Sequence, residues 1–286
     1  MKILITGVAG FIGSNLADSL IKNNYDVIGI DNLSYGSLTQ VPNQVDFYEA
    51  DIRDKNIISL FDNVDYVFHL AAKNSIIDCE NDPIETFNIN VNGTLNIFDI
   101  AIKKKIKKVI YAESSALYEG SKNLPSIESE VFPESIYSIS KMATSFMAKE
   151  YFRSEKLITT GLRYFNVYGP RQDYRRTIPP VFSAFIIKLL EGKQPTIFGD
   201  GSKKRDFVYV DDVNNFHLMC IDNQETDNEV FNIGSGKNYS IKHIYTKIKE
   251  ILQSDIDPIY GKNFDFEAQE NLANIDKANN IGWMPE

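Results

Sequence analysis

The chain predicts an α/β protein, with a doubly wound parallel sheet followed by a smaller C-terminal α/β domain. Three observations carry that prediction. A short apolar run, Ile3-Leu4-Ile5, passes through a glycine-rich turn, Thr6-Gly7-Val8-Ala9-Gly10-Phe11-Ile12-Gly13, into an amphipathic run ending at Ile21. A second strand-like segment, 26–30, is followed by an acid, Asp31, eighteen residues after Gly13. Beyond it, strand-like and helix-like stretches keep alternating, as parallel strands joined by helices require.

The elements follow in order. Residues 45–49 and 64–70 read as strands. Residues 83–104 read as one helix, because Ile84, Phe87, Val91, Leu95 and Phe98 recur near helical spacing. Residues 109–112 read as a strand, 135–152 as a second long helix and 159–164 as a further strand. The alternation weakens after Tyr168, where Pro170, Pro179 and Pro180 punctuate the chain. A helix is expected through Leu190, then a loop over 199–204 and shorter mixed segments. The expected division is 1–166 for a dinucleotide-binding domain and 167–286 mainly for a substrate domain over the carboxyl ends of the strands, with some later segments returning to the first domain. Gly282-Trp283-Met284-Pro285 reads as a turn leading into further chain.

Strand, glycine turn and helix start together make a cradle for a diphosphate. Gly7, Gly10 and Gly13 let the backbone approach it, and the helix start offers unpaired N–H groups with a partial positive charge. This is the Rossmann-like arrangement. An acid at the end of the second strand can accept hydrogen bonds from the adenosine ribose hydroxyls and would repel a 2′-phosphate, so Asp31 favours NAD over NADP.

Composition narrows the class. The chain has 286 residues, 43% hydrophobic and 24% charged, within the range of globular proteins. A formal net charge of -9 argues against a general nucleic-acid binder. No apolar run is long enough to span a bilayer. Cys79 and Cys220 are the only cysteines, which implies no disulfide framework and fits a reducing, cytoplasmic compartment. His69, His217 and His243 are scattered, so no metal-ligand spacing is present and no metal is expected.

Tyr137-Ser138-Ile139-Ser140-Lys141 puts a tyrosine and a lysine four residues apart, on one face of a helix. An ammonium there can stabilise a tyrosinate. Bringing a tyrosine from a pKa of about 10 to roughly 7 takes about 4 kcal/mol of preferential stabilisation of the anion. The helix follows a strand that runs into Glu113-Ser114-Ser115-Ala116-Leu117-Tyr118, so Ser114 and Ser115 lie just past a strand's carboxyl end, where ligands bind in such sheets. Their hydroxyls could hold a reacting substrate oxygen and relay its proton to Tyr137.

These motifs, with His69-Leu70-Ala71-Ala72, Asn90-Val91-Asn92-Gly93-Thr94, Arg163 through Asp173 and Gly199-Asp200-Gly201 through Arg205-Asp206-Phe207, give the whole chain its resemblance. It resembles the extended short-chain dehydrogenase/reductase family and, within it, the nucleotide-sugar 4-epimerases of the UDP-glucose and UDP-N-acetylglucosamine type. The resemblance implies that Tyr137 takes the proton of the sugar 4-hydroxyl while hydride passes between C4 and NAD. It implies Ser114, Ser115, Tyr137 and Lys141 as catalytic. Cofactor contacts would come from Gly7, Gly10, Phe11, Ile12, Gly13, Asp31, Asn32, Asp51, Ile52, Leu70, Ala71, Ala72 and Asn90, with Tyr137 and Lys141. A nucleotide-diphosphate sugar would meet Asn166 and Arg205 at its diphosphate, and Ser75, Ser114, Gln172 and Asn271 near its sugar. Asn271, smaller than tyrosine, would leave room for a 2-N-acetyl group, or would simply cap the next helix. A homodimer through the two long helices is implied as well.

Departures from the family pattern stand at Glu113, in place of a small residue or hydroxyl, and at Glu119, in place of a glycine. A second diphosphate arginine is expected where Phe264-Asp265-Phe266-Glu267 stands. Lys203 and Lys204 read as a solvated loop face. A 4-reductase, another epimerase, a 4,6-dehydratase and a non-catalytic NAD- or sugar-binding regulator remain alternatives. Ser115 and Ala116 argue against the dehydratase and against a uronate decarboxylase, which need a carboxyl there.

Overall fold

The computed structural model describes residues 1–175, 178–263 and 268–286. Its main sheet has seven strands, β1 (Lys2–Thr6), β2 (Asp26–Asp31), β3 (Asp46–Glu49), β4 (Tyr66–His69), β5 (Lys108–Ser114), β6 (Thr159–Tyr164) and, much later in the chain, β10 (Glu229–Ile233). All neighbours pair in parallel, in the order β10-β6-β5-β4-β1-β2-β3. Strand order reverses between β1 and β4, so a crevice opens beyond their carboxyl ends. The central strands β1, β2 and β4 carry near-continuous buried apolar runs because both faces are covered. On one face α1 (Phe11–Lys22) and α7 (Val210–Asp222) contribute Leu16, Leu20 and Phe216 to the core around Ile3, Ile5 and Phe231. On the other, α4 (Thr94–Lys103) and α5 (Ile136–Glu155) contribute Ile97, Phe98 and Ala148 to the core around Leu4, Val67 and Val109.

The expected helix over 83–104 is helical throughout but not regular. After α2 (Ile76–Asn81), α3 (Pro83–Phe87) joins α4 through a wide π-type turn at Asn88–Gly93. Gly93, at its end, lets the Ile52 side chain pack close, since a Cβ there would lie 2.5 Å from the Ile52 Cδ1. Such widened turns gather at functional sites, and this one turns Asn90 inward. α5 starts at a capping box in which Ser135 and Ser138 serve each other's backbone N–H groups, and it ends at Lys156 in the left-handed conformation.

The remaining segments form a smaller lobe. It comprises β7 (Asn166–Tyr168), α6 (Val181–Leu190), β8 (Thr196–Phe198), β9 (Lys204–Tyr209), β11 (Asn238–Ser240), α8 (Ile241–Ile251) and β12 (Ile259–Gly261). β9 pairs with β7 and β11, β8 pairs with β12, and Phe185, Leu189, Ile197, Ile244 and Ile248 form a separate core. Lys203 is buried instead of solvated, while Lys204 is exposed and pairs with Glu270 at 3.6 Å. The chain then returns to the large lobe. The short α9 (Asp276–Asn280) packs on β10, and Trp283 is buried against Phe216, its Nε1 donating to the Asp212 carbonyl at 3.0 Å. Among the described residues, no helix is long and apolar enough to cross a membrane.

Candidate functional site

One cleft of about 1050 Å³ runs along the carboxyl ends of the strands and under the small lobe. Where it would take a diphosphate, its wall is backbone. Gly7 sits at φ +77° with its position for a Cβ only 2.8 Å from the Ala71 N. A Cβ on Gly13 would lie 2.2 Å from the Gly7 carbonyl oxygen. Only glycine fits either place, and the turn so formed leaves backbone N–H groups at the start of α1, where a diphosphate can approach closely. Asp31 follows at the end of β2. Its two oxygens each accept one backbone N–H, from Ala9 at 3.0 Å and from Leu33 at 2.8 Å, which fixes the carboxylate while leaving lone pairs for hydroxyl donors. Burial pushes its pKa up, against those two amides. Further along, Asn32 donates to Asp51, and Arg53 beside Asp51 holds that carboxyl down to about 2. A glycine turn for a diphosphate and an anchored carboxylate for ribose hydroxyls are the groups that would hold NAD.

The catalytic side rests on β5 and α5. Tyr137 and Lys141 are both buried to below a tenth exposed, one turn apart, and both line the cleft with Ser114 and Ser115. The Lys141 Nζ donates to the Ala112 carbonyl at 3.0 Å. Burial lowers its pKa to about 8, with the Glu113 charge acting the other way. The Ser114 Oγ accepts from the Ala116 N–H at 3.2 Å and so caps the turn that presents both serines. Asn90, nearly inaccessible, stands behind the cleft wall. Its amide donates to the Lys73 carbonyl and to the Ser140 Oγ, each at 3.0 Å, and the Ser140 Oγ donates to the Tyr137 carbonyl at 2.7 Å. His69 bonds through both ring nitrogens to Thr6 and Thr94, and burial takes its pKa to about 3, so it is a neutral staple.

The sugar side is made of side chains held by side chains. The Asn271 Oδ1 accepts from the Asp206 N–H at 2.8 Å and from the Asn166 Nδ2 at 3.3 Å. Asn271 caps no helix, because Ile275 precedes α9. Asp206 is fully buried and accepts from the N–H groups of Ser235, Gly236 and Ala273 and from the Ser235 hydroxyl. Arg205, beside it, lines the cleft. The Gln172 Nε2 donates to the Val167 carbonyl at 2.8 Å, while its buried Oε1 has no partner in the protein, which leaves an acceptor for a ligand donor. Ser75 is not on the cleft wall; it accepts from the Asp78 N–H at the start of α2.

Three features were not anticipated from sequence. Glu113 is buried in an ion pair with Arg163, its register partner on β6, at 2.6 Å; it also accepts from Tyr111 and Ser145. Glu119 accepts from the first turn of α5. Neither carboxylate is free to drive an elimination. Arg171, left-handed at φ +68°, reaches across the cleft mouth to Asp18, to the Asn15 Oδ1 at 3.0 Å and to the Gln40 carbonyl at 3.3 Å; Asn15 and Gln40 return bonds to the Pro170 and Arg171 carbonyls. Residues 264–267, where a second arginine was expected, lie outside the described residues.

A glycine cradle, a ribose-facing acid and a buried Tyr–Lys pair in one cleft define a dinucleotide-dependent enzyme scaffold acting on a hydroxyl or carbonyl carbon. Residues 3–234 match the NAD dependent epimerase/dehydratase family, and the chain belongs to that family. It is 40% identical over 288 residues to a putative UDP-glucose 4-epimerase of Methanocaldococcus jannaschii, covering 99% of this chain and 93% of that relative. It also superposes on the UDP-glucose 4-epimerase of Thermotoga maritima with UDP-glucose, with a TM-score of 0.96 and 38% identity, covering 100% of this chain and 94% of that one. The UDP-N-acetylglucosamine 4-epimerase of Methanobrevibacter ruminantium, in complex with UDP-N-acetylmuramic acid, gives a TM-score of 0.96 at 33% identity, covering 100% and 93%.

Proposed function

We propose that the protein interconverts UDP-sugars that differ in configuration at C4, accepting UDP-N-acetylglucosamine and UDP-N-acetylgalactosamine, UDP-glucose and UDP-galactose, or both pairs. The observation that carries this reading is the Tyr137–Lys141 pair on α5, buried beside Ser114 and Ser115 in the cleft that also holds the glycine cradle and Asp31. Bound NAD would supply the hydride acceptor and donor. Tyr137 takes the proton of the 4-hydroxyl and later returns one to the resulting ketone. Lys141 stabilises the tyrosinate. Ser114 and Ser115 orient the sugar oxygen. Arg205 and Asn166 face the diphosphate, for which a guanidinium offers two parallel donors. Gln172 and Asn271 face the sugar, and the 1–166 portion holds the cofactor.

The test is incubation of the purified protein with each of the four UDP-sugars, followed by NMR of the sugar anomeric signals. Interconversion without net reduction of NAD is expected; its absence with all four sugars overturns the reading.

We also read the protein as a cytoplasmic homodimer. Ile84 on α3, with Ile139, Phe146 and Phe152 on α5, are exposed apolar side chains on the two long helical stretches, and a second copy would cover them. A monomer mass by light scattering at micromolar concentration would count against the dimer.

A further inference from the structure

We propose that Glu119 is a positioning residue that locks the start of the Tyr137 helix to the serine turn, so that the two halves of the proton-transfer apparatus keep a fixed distance. The inference rests on the proposed epimerase reading and concerns a residue to which that reading gives no part.

Tyr137 and the serines come from separate pieces of chain. Ser114 ends β5, and Ser115–Tyr118 form a single tight turn after it. That turn is fixed to the sheet, since Leu117 is fully buried and the Tyr118 hydroxyl donates to Asn232 at 2.6 Å while accepting from Arg163 at 2.9 Å. Glu119 is the next residue, so its backbone moves with the serines. Its side chain belongs to the other piece. One carboxylate oxygen accepts from the Ser135 N–H at 3.1 Å and the Ser138 hydroxyl at 3.0 Å, and the other from the Ser135 hydroxyl at 3.2 Å.

Ser135 and Ser138 bracket Tyr137. They are also the two members of the capping box, so Glu119 grips the groups that define where α5 begins. A carboxylate suits that place because the exposed N–H groups of a helix start carry partial positive charge. Lower down, α5 has other anchors, in Asn90 to Ser140 and in Glu113 to Ser145. At its first turn the side chains that hold it from outside are Glu119 and Glu80, the latter accepting from the Ile136 N–H at 2.7 Å. Of these two, Glu119 is the one rooted next to the serines. Removing it takes three hydrogen bonds from the turn that carries Tyr137 while Lys141 stays anchored lower down, and displacement of a reacting group by about 1 Å can cost on the order of 10²-fold in rate.

Glutamine is the conservative variant. Its amide oxygen can accept from the Ser135 N–H, and its NH₂ group can donate to the Ser135 hydroxyl, which also accepts. Wild type, Glu119→Ala and Glu119→Gln are to be compared by amide hydrogen exchange without substrate, and by kcat and KM on the UDP-sugar that the wild type turns over. For Glu119→Ala we expect exchange at Ser135 and Ser138 to speed up at least about tenfold with the rest of α5 unchanged, and kcat to fall about 10- to 100-fold with KM within about twofold. Glu119→Gln should stay within about threefold of wild type in both measurements. Unchanged exchange in the alanine variant, a joint loss of kcat, KM and thermal stability, or a glutamine variant as impaired as alanine each overturns the proposal. A wild type that exchanges as expected but turns over no UDP-sugar refutes the epimerase reading and leaves the exchange result to judge the bridge.

Discussion

At one end of the cleft the groups that would face a diphosphate are main chain. Gly7 and Gly13 are placed by a strand, a turn and a helix start, and no side chain has to choose a rotamer. At the other they are the side chains of Asn166, Asn271, Gln172 and Arg205, with Asn166 and Asn271 held to each other across 105 residues of chain. The first wall tolerates no added atom. The second can be altered one residue at a time without disturbing the sheet. A scaffold built this way keeps its cofactor while its choice of sugar changes.

The comparison is broken most severely at Gly13. In Gly13→Ala the new Cβ would stand 2.2 Å from a backbone oxygen, so the turn itself must shift. We expect loss of both activity and retained NAD, read by chromatography of the nucleotide released on denaturation; an alanine variant with normal NAD content would refute the cradle. Tyr137→Phe sharpens the contrast, since it should lower kcat by about 10²- to 10⁴-fold while NAD content stays unchanged. Asn271→Tyr acts on the second wall alone. It should reduce turnover of the N-acetylated pair by about tenfold or more, with the glucose/galactose pair little affected, because an added ring competes with the N-acetyl group for space. Equal effects on both pairs would remove Asn271 from the sugar pocket.

The smallest expected effect is one of pH. Burial lowers Lys141 to about 8, so its ammonium is present below that value and is lost as pH rises through it. Tyrosinate support is lost with it, and kcat/KM should fall roughly fourfold by half a unit above the midpoint. A pH profile flat to pH 9.5 would contradict this.

What the sequence made legible follows the same division. The glycine turn, Asp31 and the Tyr–Lys spacing are local patterns, set by the periods of strand and helix, and the structure places all of them on one cleft. The ion pair of Glu113 and Arg163 was not legible, because it depends on β5 and β6 lying side by side in register. The same holds for Asn166 with Asn271, brought together across the small lobe, and for Arg171 with Asp18. The wide turn at Asn88–Gly93 escaped for another reason. Its apolar spacing is that of an ordinary helix, and the inserted residue shows only in the hydrogen bonds.

β10 gives the molecule a history as well as a shape. Its partner β6 is complete at Tyr164, but the strand that covers its edge ends only at Ile233, after most of the small lobe, and the core beneath is closed by Trp283 near the last residue. At about 5–20 residues per second the ribosome takes several seconds to deliver that strand. During synthesis β6 therefore waits with a row of unpaired backbone N–H and C=O groups, of the kind that invites pairing with other chains. The order of residues along the chain completes the cofactor-binding sheet only after β7, α6, β8 and β9 have been made, and a chaperone that shields the β6 edge would act in that interval.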